Sequence, residues 1–226
     1  FCDEIIVIDN GSKERTKEIS EKLKARVYEF STDDFSEIRN YGLSVSTNEW
    51  ILYLDADERL DENLQEVIKK TISESSEYSA FRLKRKNYYL GKNEWPYIEK
   101  LERLFKKASL KKWYGELHES AEIEGKVGIL EGYILHFTHR NLESMLEKTI
   151  EWSKKEALLR FNSNHPKMSW WRFPRVMISA FLNSFIRQGG YKAGAMGLIE
   201  SMYQSFSMFI TYARLWELQR ITRKKV

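Results

Sequence analysis

With 226 residues, 42% hydrophobic and 31% charged, the chain is long enough for one sizeable core with an appendage and too apolar for a disordered segment. Its single cysteine, Cys2, excludes an internal disulfide and a cysteine metal knuckle, so a reducing, cytoplasmic setting is expected. The net charge of +4 hides an acidic stretch, residues 1–166 with 27 Lys+Arg against 31 Asp+Glu, and a basic one, residues 167–226 with 10 against 2.

The chain opens on Phe1 and runs at once into Ile5-Ile6-Val7-Ile8, which reads as a fragment whose beginning is missing. Glu4–Asp9 predicts a buried strand closed by the turn Asp9-Asn10-Gly11. Ser12 then predicts a helix cap, with the helix running to about Leu23 and a strand at Arg26–Phe30. Ser36 opens a second helix, and Trp50–Leu54 is a further buried strand ending in Asp55-Ala56-Asp57. Asp61 caps a third helix, and Ser79–Tyr89 reads as a strand. Strands alternating with helices of this length predict a doubly wound, mostly parallel sheet, with ligands beyond the carboxyl ends of its strands. Both acidic turns, at Asp9 and at Asp55/Asp57, lie at such ends.

From Trp95 to Thr138 the pattern shifts to short strands at Leu101–Lys106, Ala121–Glu124, Val127–Leu130 and Tyr133–Phe137. Asn141–Phe161 is a polar amphipathic helix, and Pro166 and Pro174 bracket a linker. Two helices follow at about 174–187 and 194–222, separated by Gly189-Gly190. There is no internal repeat and no low-complexity segment. In the last helix Ile199, Met202, Phe206, Phe209, Ala213 and Trp216 recur every three or four residues, opposite Glu200, Gln204, Ser207, Thr211 and Arg214. The uncharged stretch Ser201–Ala213 is short of the roughly 20 residues that span a bilayer. Aromatic and basic residues together predict a helix lying in the interface of an anionic membrane, the alternative being a stripe that packs inside the protein. The expected division is therefore a catalytic domain over 1–140, a helix and linker over 141–166, and a membrane-association region over 167–226.

Two carboxylates two residues apart, Asp55 and Asp57, can face one ion, and hard oxygen ligands suit Mg²⁺ or Mn²⁺ bridging to a substrate diphosphate. Such a metal stabilises a departing nucleoside diphosphate as a Lewis acid; the alternative is an acidic surface turn. Asp9 can accept from a base N–H or a ribose hydroxyl, or simply form a turn. Arg39 can reach a phosphate or stand as a solvated helix arginine. Lys106, Lys107, Lys111 and Lys112 read as a solvated basic face.

Taken together, Asp3 through Ser12, Asp34-Phe35-Ser36-Glu37-Ile38-Arg39-Asn40, Trp50 through Glu58, Arg103-Leu104-Phe105 and Glu116-Leu117-His118-Glu119 resemble glycosyltransferase family 2. The branch most similar is that of lipopolysaccharide-core β-1,4-glucosyltransferases, and the resemblance runs from Phe1 to about Trp216. It implies a GT-A fold within the α/β class, inversion at the anomeric carbon, a UDP-sugar donor and a divalent cation. By position, Asp9 resembles the base-contacting aspartate and Arg39 the arginine near uracil or diphosphate. Asp55 and Asp57 match the metal and ribose motif, with Asp57 the direct ligand.

The family's first strand and helix are absent here, and Ser12-Lys13-Glu14 departs from the usual Ser-Thr-Asp. An inverting transfer needs a general base, for which Glu119 is the candidate and Glu116 the reserve. His118 is a candidate contact to the diphosphate, His136 a candidate for the metal shell, and Arg103 a candidate for steadying the donor phosphates. The resemblance implies transfer of a hexose, glucose first, onto a lipopolysaccharide-core or other cell-envelope glycan or glycolipid, on the cytoplasmic face of the membrane. Alternatives are a lipid-phosphate or protein acceptor, or a non-catalytic membrane-docked module that binds sugar nucleotides. No nucleic-acid partner is expected, because the tail's aromatics share one stripe instead of interleaving with basic residues along a groove.

Overall fold

In a computed structural model that describes residues 1–74 and 76–223, the first apolar run forms β1 (Ile6–Asp9). It pairs in parallel with β2 (Arg26–Glu29), and α1 (Thr16–Lys22) makes the crossover. The predicted cap at Ser12 is not used. Its N–H goes to Asp9 Oδ1 at 2.9 Å, and α1 starts four residues later behind Arg15, which gives no side-chain cap. Asp34 caps α2 (Phe35–Val45) by accepting from the backbone of Ser36 and Glu37, so the helix opens one residue before Ser36. Strand β3 (Trp50–Leu52) is followed by a turn, by β4 (Glu58–Leu60), which the sequence does not announce, and by α3 (Glu62–Ser73). Asp61 Oδ1 accepts from Leu64 N at 2.7 Å, as its place before the helix predicts.

Next come β5 (Tyr78–Tyr89), β6 (Asn93–Glu94), β7 (Glu99–Lys106), β8 (Leu110–Tyr114), β9 (Ser120–Ile123) and β10 (Lys126–Phe137). The two short strands expected at 127–130 and 133–137 are one continuous strand. The larger sheet has the order β3-β7-β5-β10-β4. Strand β7 is antiparallel to both neighbours, β3 and β5. Along β5 and β10 the contacts advance together, from Lys126 at Glu77 through Gly128 at Phe81 to Glu131 at Lys84, so these two strands run in the same direction. The α/β class is as expected, and the sheet is mixed. Strands β8 and β9 form a separate antiparallel hairpin.

The chain divides into two compact units, one of Phe1–Arg85 with Glu99–Ile134, the other of Lys86–Ile98 with everything from Leu135 on. In the first unit successive strand residues point to opposite faces. Phe81 and Leu104 join Leu64, Ile68, Leu83, Leu130 and Ile134 on the α3 face. Ala80 and Phe105 join Leu110 and Trp113 on the other, against Leu43 of α2. Each fully buried Leu or Phe contributes roughly 1.5–3 kcal/mol.

The second unit holds the ends of β5 and β10, strand β6 and three longer helices: α4 (Leu142–Asn162), α5 (Arg172–Leu182) and α6 (Gly194–Arg223). A π-helical turn at Asn183–Arg187 and a 3-10 turn at Gly190–Ala193 join the last two. Asn141 and Ser144 close α4 with a capping box. Ala157, Met168, Tyr212 and Leu215 form the core, flanked by Phe173, Val176 and Met208. Gly197 lets α6 start directly on the 3-10 turn, since a Cβ there would stand 1.8 Å from the Gly190 carbonyl oxygen. Residues 224–226 of the basic tail lie outside the described residues.

Candidate active site

Strand β3 stops at Leu52, so Asp55 and Asp57 ride on the turn between β3 and β4 and not on a strand end. Two bonds clamp the turn: Glu58 N donates to the Asp55 carbonyl at 3.0 Å, and Asp55 N donates to Glu58 Oε2 at 3.0 Å. The Glu58 side chain is fully buried, and its Oε1 accepts from Arg85 Nη1 at 2.8 Å and from Arg103 Nη2 at 3.0 Å. Arg85 also pairs with Glu99 across the β5–β7 ladder at 2.7 Å.

Both carboxylate oxygens of Asp55 are engaged. Oδ1 accepts from Arg39 Nη2 at 3.1 Å and Oδ2 from Arg103 Nη2 at 2.8 Å. Burial pushes the Asp55 carboxyl up, but the Arg103 and Arg39 guanidiniums outweigh it and hold the group below its usual value. Arg39 in turn donates to Glu119 Oε1 through Nε at 2.8 Å and Nη2 at 2.6 Å. Burial opposes its charge, and Asp55 and Glu119 more than restore it, so its pKa is raised. Both bonds fall on Oε1 of Glu119, which leaves Oε2 for another donor.

Aromatic rings and an amide fix the Arg39 guanidinium. It lies 5.0 Å from the Trp113 ring centre and 5.8 Å from that of Tyr53. Tyr53, whose phenol burial pushes up to about 12, donates its hydroxyl to the Arg39 carbonyl at 3.2 Å. The next residue, Asn40, clasps the Trp113 backbone twice, Nδ2 to the carbonyl at 2.9 Å and Oδ1 from the N–H at 2.7 Å. Helix α2 is thereby stitched to β8, and the loop that carries Glu119 follows directly. Gly115 opens that loop with φ +97, and a Cβ there would sit 2.7 Å from the His118 carbonyl oxygen. Leu117 is buried and the Glu116 carbonyl accepts from Phe35 N at 3.1 Å, which pins the loop before His118, as Arg39 pins it at Glu119 after it.

Of the candidates from sequence, Arg39, Asp55, Arg103 and Glu119 form one connected cluster, with Asp57 two residues along the same turn. Asp9 ends β1 and accepts from the Ser12 side chain and N–H, which hold its carboxyl below the usual range. The Glu116 side chain is exposed, as is His118. His136 belongs to the second unit, where its Nδ1 lies 2.7 Å from Asn87 Oδ1. Glu58, Arg85 and Glu99 carry no role in the sequence reading. Their signal is an arginine, Arg103, two residues before Phe105 on an inward register of β7, which requires a buried acid nearby.

Among the described residues no three His, Cys, Asp or Glu side chains gather around one point as a closed metal cage. A Mg²⁺ or Mn²⁺ shared with a diphosphate does not require one, since one or two carboxylates with water and phosphate oxygens suffice. Both Asp55 oxygens are held by guanidiniums, which fits Asp55 as the group that orients the turn, and Asp57 follows two residues along it as the other carboxylate of the motif.

The model of Glycosyl transferase family 2 matches residues 3–122, which include every residue of this cluster. An uncharacterized glycosyltransferase, RP128, of Rickettsia prowazekii is 27% identical over 96% of this chain and 79% of its own length. The lipopolysaccharide core biosynthesis glycosyltransferase LpsC of Rhizobium meliloti is 25% identical over 96% of this chain and 83% of its own. A crystal structure of S. aureus TarS 1-349 in complex with UDP-GlcNAc aligns over 97% of this chain and 83% of that one, at 15% identity and a TM-score of 0.47, too distant to bear on function. With more than half of its length matched, cluster included, the chain belongs to glycosyltransferase family 2.

Proposed function

We propose that this glycosyltransferase moves a hexose, glucose first, from a UDP-sugar onto a lipopolysaccharide-core or related cell-envelope glycan, with inversion, at the cytoplasmic face of the membrane. The observation that carries this reading is Arg39, which joins the Asp55 turn to Glu119 in one cluster. Family membership supports a nucleotide-sugar donor, and the LpsC relative supports the acceptor class.

In this reading Asp9 receives the uracil, and Arg39 with His118 receives the diphosphate. Arg103 holds Asp55 and adds positive charge behind the phosphates. Asp57 would hold Mg²⁺ or Mn²⁺, with Asp55 behind it. The ion, when bound, neutralises charge on the departing diphosphate. Glu119 Oε2 takes the proton from the acceptor hydroxyl, and the acceptor oxygen bonds to the anomeric carbon. The bond from that carbon to the β-phosphate oxygen breaks, and UDP leaves with the electron pair. Glu116 is the reserve for the proton.

The test is UDP release from a panel of UDP-hexoses, with a deacylated core oligosaccharide as acceptor, in Mn²⁺ or Mg²⁺ and then in EDTA. Acceptor-dependent release that EDTA abolishes is expected. Consumption of another nucleotide's sugar, or unchanged release in EDTA, overturns the donor or the metal respectively.

A further inference from the structure

Between Gly197 and Thr211 of α6 the buried positions are small or polar and the exposed ones apolar. Glu200 and Ser201 are 1% and 0% exposed, and Ser205 and Thr211 are buried beside Tyr212 and Leu215. Each polar group has its partner inside. Glu200 meets His139 Nδ1 at 3.1 Å and Gln204 at 2.7 Å. Ser201 meets Ser184 at 3.0 Å, Ser205 donates to the Met177 carbonyl at 3.0 Å, and Thr211 donates to Ser207. Met202, by contrast, is 57% exposed, and Leu198, Ile199, Phe206 and Trp216 are exposed with it. Small and polar residues inside with apolar ones outside is how helices pack when the surroundings are apolar.

Helix α5 and the π-helical turn also carry an exposed apolar row. Phe173, Val176 and Ser184 face inward, whereas Ile178, Leu182 and Ile186 recur every four residues in the open. Apolar side chains so exposed on two packed helices are not the scatter of an ordinary surface. Helix α4 also exposes Leu142, Leu146 and Ile150, but these alternate with exposed Glu143, Glu147 and Glu151.

Charge selects the occupant. Glu200 is buried, so Glu217 is the one exposed acid of this segment among the described residues, against exposed Lys167, Arg175, Arg187, Lys192 and Arg220. The exposed rings carry cations: Arg172 and Arg175 by Trp171 (5.4 and 6.0 Å), Lys192 by Tyr191 (5.7 Å) and Arg220 by Trp216 (4.7 Å). Paired aromatics and cations fit the headgroup layer of a bilayer, and basic charge fits anionic lipid. A second copy would bring like charge against like. No described helix is long and apolar enough to cross a membrane.

We propose that the exposed face of α5 and α6 docks on an anionic lipid surface, with Ile178, Leu182, Met202 and Phe206 entering the acyl boundary and Arg175, Arg187 and Lys192 meeting the headgroups. This deepens the membrane-side reading above by naming the surface and the lipid charge.

The experiment is co-sedimentation of the protein with phosphatidylcholine vesicles, with and without phosphatidylglycerol, at low and high salt, while UDP binding is followed in the same samples. At least tenfold more binding to the anionic vesicles is expected, weakened by salt. Met202→Glu with Phe206→Glu should cut it tenfold or more with an unchanged melting curve. Arg175→Gln, Arg187→Gln and Lys192→Gln together should remove the preference for anionic lipid. If the first pair does not fold, Ile178→Glu with Leu182→Glu gives the same reading from α5. Equal binding to both vesicles, no binding, or a lipid-free dimer that the first pair dissociates would each overturn the proposal. Vesicle binding without UDP binding would leave this face standing and defeat the donor reading; UDP binding without vesicle binding would do the reverse.

Discussion

Arg39 and Glu119 lie 80 positions apart in sequence, yet Nη2 of the first sits 2.6 Å from Oε1 of the second, and the same nitrogen reaches Asp55. One guanidinium thus holds Glu119 and the acid of the β3–β4 turn together. A ligand phosphate at Arg39 must share it with both.

Arg39→Lys keeps the charge but loses the planar fork, so it cannot serve Asp55 and Glu119 at once. Losing a charge-assisted bond at a buried partner costs about 1.5–3 kcal/mol. UDP affinity, read by calorimetry, should fall by about one to two orders of magnitude. Unchanged affinity would remove Arg39 from the donor site.

Glu119→Gln preserves shape but cannot take a proton. Turnover should drop roughly 10²-fold or more, with UDP binding within about threefold of the starting protein. If turnover is unaffected, the same measurement on Glu116→Gln moves the role to the reserve acid.

The α/β frame, the helix cap at Asp61 and the acidic turn at Asp55 were readable because each depends on residues a few positions apart. Strand β8 was not. Its pairing shifts between Leu110 and Lys112, so the buried Leu110 and Trp113 stand three apart and the period of two is broken. Lys111 and Lys112, read as part of a solvated face, do face solvent, on a strand whose other side is core. The Arg39–Glu119 link and the burial of Glu58 were not readable either, since both are set by how distant strands and loops meet. The tail pattern was correctly periodic, but only the structure tells which side is buried. Phe209, one of the apolar stripe, leans on Phe173 with ring centres 5.9 Å apart.

Glu58→Gln tests the clamp beneath the turn. The side chain is fully buried between Arg85 and Arg103, and breaking a buried pair on one side costs roughly 3–5 kcal/mol. Since Gln keeps the shape and Arg103 keeps Asp55, about 3 kcal/mol is expected. For a chain of this length that lowers the melting temperature by roughly 6–12 °C. A shift under about 2 °C would show that the charge of Glu58 is not needed.

Acid should act on the same network. The Asp55 carboxyl is held below its ordinary value of about 3.9, so between the folded and unfolded values the unfolded chain binds more protons. Stability from this group is therefore complete above about pH 4 and is lost as pH falls through the lower folded value. Urea unfolding between pH 7 and pH 3 should show that loss, and Asp55→Asn, less stable at pH 7, should show less of it. An equal acid slope in both proteins would place the effect elsewhere.

The most direct measurement is the melting temperature with saturating UDP, with and without Mn²⁺, for the unaltered protein and for Asp57→Asn. Ligand at 100 times its dissociation constant adds about 2.7 kcal/mol, or roughly 5–10 °C here. That rise is predicted for the unaltered protein in Mn²⁺, a small one in EDTA, and no difference between the two conditions in Asp57→Asn, which should still fold. An equal rise in EDTA, or a full Mn²⁺-dependent rise in Asp57→Asn, would contradict a metal-held nucleoside diphosphate at this turn.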